Sequence, residues 1–251
     1  MRFSERDYAS ELGKNLLIYP LKAENIDSSS CDLTASRYAW KLSDQKSAVD
    51  NITITIPAKE SVLIVTNETI SLQKNLCGLC CSGVALATKG VITNTTPIKC
   101  GWIGKLILTV HNPTSENVQI RVGDKIAVLL VDRLRSATKK GTQNTNRKTT
   151  ELLYRQGIKL SDEEVTQINN DSCSDVQNLR EKVKQEQGYI QFRNRRRFKY
   201  FWYLVAVGLA VIAGVLAAQF FEAKEFVPAL VVAFISAVAA VIGRKVKVLL
   251  E

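Results

Sequence analysis

The chain has 251 residues, with 34 Lys and Arg against 24 Asp and Glu, which gives a formal net charge of +10. Much of this excess lies in two basic clusters beside an apolar C-terminal region, so the charge favours anionic lipid headgroups over a nucleic acid as partner. Six cysteines in a domain expected to be cytoplasmic predict reduced thiols and argue against a disulfide framework.

Residues 1–160 are predicted to form one soluble domain built mainly from strands. A short amphipathic helix is expected at its start, over Ser4–Leu12. Alternating or continuous apolar runs bounded by turn residues predict strands at Asn51–Pro57, Glu60–Val65, Gly104–His111, Asn117–Val122 and Lys125–Asp132. Short strands at close spacing with little helix are typical of an all-β barrel or a double-sheet roll.

A C-x-x-C-C cluster is formed by Cys77, Cys80 and Cys81, with Cys100 as a conceivable fourth zinc ligand. There is no second paired motif, and the single histidine, His111, is elsewhere in the sequence. The interpretation is therefore small buried side chains, with no metal site. No cofactor is expected beyond Mg²⁺ accompanying a nucleotide.

The segment after the strands is expected to leave the domain and run toward a membrane. Residues Ser136–Thr150 are polar and unpatterned, which predicts a mobile loop. Helix is predicted from Ser161, which offers an N-cap followed by an acidic first turn. The apolar positions that follow are Val165, Ile168, Val176, Leu179 and Val183. Residues 161–198 are thus expected to be a helical, basic linker or stalk.

Residues 199–247 are predicted to be a two-helix transmembrane hairpin. Tyr200–Phe221 is free of charged residues, and as a helix it would span roughly 33 Å. After a polar break, Phe226–Gly243 would span roughly 27 Å. Lys and Arg flank the outer ends of both spans, which predicts a multi-pass protein of the inner (cell) membrane with its soluble domain and both termini cytoplasmic.

Small residues recur every four positions in both spans and would allow close helix packing. They are Ala206, Ala210, Gly214 and Ala218 in the first span, and Ala229, Ala233 and Ala237 in the second. Two interpretations are open: the helices of one hairpin pack on each other, or hairpins of several subunits form a bundle. Neither span contains an ionisable residue, so no conventional ion pathway is predicted.

From Met1 to about Ser161 the chain resembles a whole dCTP deaminase of the trimeric dUTPase superfamily. The matching segments occur in the family's order: ENIDSSSCDLTAS, IPAKESVLIVTNETISL, GLCCSGVALATKGV, IKCGWIGKLILTVHN and VGDKIAVLLV. The resemblance implies a distorted β-barrel that forms trimers, with nucleotide sites between subunits.

The residues that are catalytic in the family are replaced by other residue types at the matching positions of this sequence. Family deaminases use a glutamate as general base, and an arginine and serines position the ring and phosphates. By resemblance the glutamate position is Thr109, the R-S-S positions are Gly83, Val84 and Ala85, the later arginine is Thr88, the dUTPase aspartate is Lys99, and the last-strand glutamine is Val128. A threonine cannot accept a proton at neutral pH, so the resemblance predicts that the domain is not an enzyme.

The frame of the family's site is retained. Gly101-Trp102 keeps the turn that lies beside the base in the family, and Tyr154–Gly157 resembles the tail that folds over the triphosphate. The candidate ligand-binding residues are therefore Lys89, Lys99, Gly101, Trp102, Tyr154, Arg155 and Gln156. Basic groups around such a site would suit a phosphorylated ligand by charge.

These observations predict a membrane-anchored pseudoenzyme that binds or senses a nucleotide or nucleotide-derived signal as a homotrimer, or a multiple of one. By analogy, it resembles bacterial anti-phage effectors that permeabilise the membrane. One alternative is an active membrane-bound dCTP deaminase or dUTP pyrophosphatase with relocated catalytic groups, for which Asp32, Glu68 and Glu116 are the candidate carboxylates. The other alternative is a ligand-free trimeric scaffold.

Overall fold

The computed structural model describes residues 1–139, 149–171 and 175–190, together with Gly208. The chain divides into two units, Met1–Arg193 and Asn194–Glu251. Of the second unit only Gly208 is described, so the predicted hairpin and its stripe of small residues lie outside the described residues. Among the helices of the described ranges, none has the length and apolar character that a membrane span requires.

The first unit is mostly β, as the sequence predicts. The strands are β1 (Leu16–Tyr19), β2 (Cys31–Lys41), β3 (Val49–Asp50), β4 (Thr53–Ile56), β5 (Ser61–Leu72), β6 (Leu76–Ser82), β7 (Ile92–Thr93), β8 (Thr96–Ile98), β9 (Ile103–His111), β10 (Val118–Arg121) and β11 (Lys125–Arg133). The helices are α1 (Glu5–Glu11), α2 (Val84–Ala87), α3 (Thr149–Arg155), α4 (Asp162–Asp171) and α5 (Val176–Gln185).

Two antiparallel sheets hold the strands. The larger has the order β7-β9-β5-β2-β11-β6-β8, with β1 pairing to the far end of β5. The smaller has the order β10-β4-β3. In this order β5 lies between β9 and β2, although the three strands are far apart in the sequence. The outer face of these strands carries Thr109, Ser61 and His111 of the candidate site.

Strand β9 separates an inner face from an outer face. Leu106, Leu108 and Val110 point into the main hydrophobic core. Because side chains alternate along a regular strand, Thr109 and His111 lie on the opposite, outer face. The two faces explain why the strand's apolar residues are split between separate clusters.

Helices α3 to α5 pack on the outer face of β2, β5 and β9. One apolar cluster joins helix residues to β2 and β5; its buried members are Tyr38, Trp40, Leu63, Val65, Leu153, Ile158 and Ile168. Another joins α5 to β1 and β9 through Leu179, Val183, Leu17 and Ile103. The described part of the predicted stalk therefore packs against the sheet, because its apolar positions fall on one helical side. The domain boundary at residue 160 stays a prediction.

Local signals set where two of the helices begin. Ser4 caps α1 in a reciprocal arrangement with Asp7, as the predicted start at Ser4 requires. The Ser161 backbone N–H donates to the Glu164 carboxylate at 2.8 Å, and the Glu164 N–H donates to the Ser161 hydroxyl at 3.2 Å. These bonds satisfy backbone groups that the first turn of α4 would otherwise leave unpaired.

Candidate functional site

Thr109, the position that the resemblance assigns to the family's glutamate, lies on the outer face of β9. Thr109 is opposite Leu63 of β5, and its backbone carbonyl accepts a hydrogen bond from the Asn94 N–H at 3.1 Å. Leu63 belongs to the apolar cluster formed with α3 and α4. Thr109 is thus held by regular strand pairing, and its side chain carries a hydroxyl group.

The R-S-S positions lie at the start of α2. Gly83 precedes the helix, and Val84 is 76% exposed. Ala85 and Thr88 are also exposed. The side chain of the nearby Lys89 donates to the Gln119 carbonyl at 3.5 Å. This part of the predicted site therefore exposes the apolar side chain of Val84, while the Lys89 ammonium is hydrogen-bonded to β10.

The turn at Gly101-Trp102 is held by backbone hydrogen bonds. Gly101 has φ +78°, a left-handed conformation that favours glycine. The Trp102 N–H donates to the Lys99 carbonyl at 3.2 Å, and the Trp102 carbonyl accepts from Leu72 at 2.9 Å. The indole packs against the main core, and its N–H donates to the Gly104 carbonyl at 3.3 Å. Lys99 is exposed beside this turn.

The tail residues lie at the other end of the same sheet. Tyr154 and Arg155 end α3, and Gln156 follows it, all three exposed. A Cβ on Gly157 would lie 2.7 Å from the Gln45 side chain, in the turn after β2. That turn is next to the Ser61 end of β5, whereas Trp102 is beside the Leu72 end.

The length of β5 separates the two groups. Its 12 residues span on the order of 35 Å. Within one chain, the structure therefore brings Lys99, Gly101 and Trp102 together. It does not bring them to Lys89 or to the tail residues 154–156.

Sequence reasoning missed a serine–histidine pair on the outer face. The Ser61 hydroxyl and His111 Nδ1 are 3.0 Å apart, across the paired ends of β5 and β9. His111 is two residues from Thr109 on the same face, about 7 Å along the strand. Ile92 of β7, 53% exposed, is directly opposite His111. The sequence signal was the only histidine of the chain, which lies at a strand end.

A buried polar cluster was also missed. The Glu68 carboxylate, 3% exposed, accepts from the Thr34 N–H at 2.9 Å and from its hydroxyl at 2.6 Å. The Lys105 ammonium donates to the carbonyls of Thr66 and Asn67. Burial raises the pKa of Glu68 and lowers the pKa of Lys105, because each charged form loses water. The visible signal was the polar run 66–69 inside an apolar strand.

The cysteines are free thiols in the described structure. Cys80 is fully buried, and burial raises its pKa to about 12, which disfavours the thiolate that metal binding needs. Within residues 1–139, 149–171 and 175–190, there is no group of three or more His, Cys, Asp or Glu placed to hold a metal ion.

The comparisons with known proteins agree with the predicted resemblance. Residues 3–134 match the sequence model of a family described as dCTP deaminase-like. A dCTP deaminase of Pyrococcus furiosus is 27% identical over 150 residues, which are 60% of this chain and 96% of that protein. A dCTP deaminase of Thermococcus kodakarensis is 29% identical over 132 residues, 51% of this chain and 83% of that protein.

Among solved structures, the 2'-deoxycytidine 5'-triphosphate deaminase from Agrobacterium tumefaciens is similar with a TM-score of 0.43. It is 11% identical, and the match covers 52% of this chain and 46% of that one.

The expectation that the chain is not an enzyme is contradicted by these relatives. Proteins 24–29% identical to it are named dCTP deaminases and point to an enzyme. The expectation rested on the residues at the positions that the resemblance assigns to the family's catalytic groups. General-base catalysis requires reach and a suitable pKa, which a residue at another position can provide. The match covers more than half of the 251 residues, and the chain belongs to the dCTP deaminase-like family.

Proposed function

We propose that this chain is a membrane-attached enzyme that hydrolyses a deoxynucleotide, with the deamination of dCTP to dUTP and ammonia as its reaction. The observation that carries the proposal is the family match over residues 3–134, joined by relatives named dCTP deaminase that align over 96% of their own length. The exposed Lys99 and Arg155 suit a triphosphate by charge.

The nucleotide site is proposed to be completed between subunits of a homotrimer or a multiple of one. The two parts of the candidate site, at Gly101-Trp102 and at Tyr154–Gln156, lie at opposite ends of one sheet. A single nucleotide can contact both only if they come from different subunits. The exposed apolar residue Val84 supports such an interface, because assembly would remove it from water.

Attachment to the inner membrane, with a cytoplasmic domain, is proposed from the sequence. The apolar runs 200–221 and 226–243, with Lys and Arg at their outer ends, support a hairpin.

A second candidate function is a membrane-permeabilising effector of the anti-phage type. Its support is the segment 149–190, whose helices pack on the outer face of the sheet and which precedes the basic cluster and the first apolar run in the sequence.

A nucleotide panel tests the enzymatic proposal. Full-length protein in detergent should release ammonia from dCTP, with dUTP detected by chromatography. Binding without turnover across deoxy- and ribonucleotides would contradict the proposed reaction. The absence of both binding and turnover would favour a scaffold.

Fractionation and leakage test the membrane part. Removal of residues 199–251 should move the protein from the membrane fraction to the soluble fraction. If the hairpin permeabilises membranes, Gly214→Leu and Ala233→Leu should reduce dye leakage from liposomes and leave nucleotide binding unchanged, because bulky residues prevent close helix packing. Leakage equal to that of the wild type would restrict the hairpin to anchoring.

A further inference from the structure

The proposed hydrolysis needs a group that takes a proton from the attacking water, and Thr109 cannot supply it. The buried Glu68 carboxylate is 3% exposed, and both of its oxygens accept hydrogen bonds from Thr34. Asp32 forms an ion pair with Lys125 at 2.5 Å, on β2 and β11. These two carboxylates are committed to the structure of the sheet, so they are poor candidates for the base. The third candidate, Glu116, is exposed and lies five residues beyond the end of β9.

His111 lies on the same strand and the same face as Thr109. It is two positions beyond Thr109 on the outer face of β9, and it is partly exposed. The Ser61 hydroxyl lies 3.0 Å from Nδ1, a hydrogen bond that orients the ring and leaves Nε2 as the nitrogen for proton transfer. A histidine oriented by a second group through one ring nitrogen is a recurrent arrangement of general bases.

We propose that His111 is the general base of this enzyme and that Ser61 is its positioning residue. The inference rests on the proposed function, because it names the group that replaces the missing glutamate in the same site. Histidine is the side chain most often used for this role.

The atoms, protons and electron pairs of the reaction balance with water, the cytosine ring and His111 as the reacting groups. His111 Nε2 takes one proton from water while the water oxygen forms a bond to C4 of the cytosine ring. The electron pair of the C4–N3 double bond moves to N3, and the protonated His111 gives N3 the proton that it took from water. The neutral His111 then takes the proton of the C4 hydroxyl and transfers it to the C4 amino group. The C4–N bond breaks, ammonia leaves with the electron pair of that bond, and the oxygen forms the C4 carbonyl. The products are the uracil ring and ammonia, and His111 returns to its neutral form.

The surroundings of His111 suit a nucleotide. Ile92, opposite His111, offers an exposed apolar surface to a base. Arg155 at the end of α3 is exposed at the same end of the sheet and offers a cation to phosphates. An apolar wall, a ring nitrogen and a cation at one sheet end are the elements that recognise a base and its phosphate chain.

The first experiment is a kinetic comparison in full-length protein. His111→Gln should lower kcat for dCTP by about 10²- to 10⁴-fold and remove the acid limb of the pH–rate profile. Ser61→Ala should lower kcat by about two- to tenfold, the loss expected for one orienting hydrogen bond, and Ser61→Thr should recover most of it. The exposed Lys74→Gln serves as the control and should retain the wild-type rate.

Turnover by the wild type together with an unchanged rate and pH profile in His111→Gln would overturn the role of His111. It would leave the proposed function standing.

The second experiment does not need turnover. His111 is the only histidine of the chain, so a tag-free protein labelled at histidine Cε1 gives one imidazole signal in NMR. Saturating dCTP should shift this signal and move its pH titration, whereas dCTP added to Arg155→Ala should do so only at higher concentration. If the wild type does not turn over dCTP, the proposed function fails. An imidazole signal that bound dCTP leaves unmoved would overturn the placement of His111 in the site.

Discussion

The hydroxyl of Tyr38 on β2 donates a hydrogen bond of 2.9 Å to the carboxylate of Asp171 at the end of α4. The Thr69 hydroxyl donates to the Asp171 backbone carbonyl at 3.4 Å, and the charge of Asp171 favours the protonated form of Lys105. These contacts connect the C-terminal end of α4 to β2 and β5. Tyr38 is buried, so its hydroxyl proton needs an acceptor, and Asp171 supplies one.

Removal of the Tyr38 hydroxyl should loosen α4. In Tyr38→Phe, the exposed Asp171 carboxylate loses its hydrogen bond from a buried tyrosine, which should lower the free energy of unfolding by about 0.5–1.5 kcal/mol. Urea unfolding of the full-length protein would measure the change. Tyr154→Phe, at a tyrosine that is 50% exposed, is the matched control and should stay within about 0.5 kcal/mol of wild type. Equal effects at the two sites would contradict the anchoring role.

The packing of α5 should contribute to the stability of the β domain. Leu179 is fully buried between α5 and the sheet, so Leu179→Ala should cost about 2–5 kcal/mol. Thermal unfolding followed by the core tryptophans would report the loss. Leu42→Ala, at a leucine 37% exposed, should change stability much less. A domain that unfolds at the wild-type temperature in Leu179→Ala would indicate a helix independent of the sheet, as expected for a free stalk.

Glu68 should make stability depend on pH. Burial raises its pKa above the ordinary value of 4.5, so the folded protein favours the protonated carboxyl. The stabilisation from that proton is fully present below pH 4.5 and is lost as the pH rises through the folded pKa. Relative to Glu68→Gln, which cannot titrate there, the wild-type free energy of unfolding should fall as the pH rises above 4.5. A constant difference across this range would show that the carboxyl does not titrate differently on folding.

The oligomeric state tests the shared site. Light scattering of detergent-solubilised protein should give a trimer or a multiple of one. Val84→Glu should weaken assembly, because it places a charge at an exposed apolar position of the proposed interface. Lys74→Glu introduces a similar negative charge on an exposed turn and should leave the assembly intact. A wild-type monomer or dimer across concentrations would contradict the trimer.

Helices and strands could be predicted where the sequence signal, such as a capping residue or an apolar run, lies within or next to the element itself. Ser4 and Ser161 cap the helices predicted after them, and β9 and β11 coincide closely with the predicted strands 104–111 and 125–132. The extent of β5 was underestimated, because its bulge at residues 66–68 interrupts the alternation that marks a strand. Strand β2 was missed because it is buried on both faces over much of its length and lacks clean alternation.

By itself, the sequence determined the mostly β class and the family. It could not place Ser61 against His111, 50 residues away, or Tyr38 against Asp171, 133 residues away. Those pairs depend on the register of β5 against β9 and on how α4 docks across β2. Register and docking follow from the packing of whole faces, to which residues distant in the chain contribute together, so only the tertiary structure decides them.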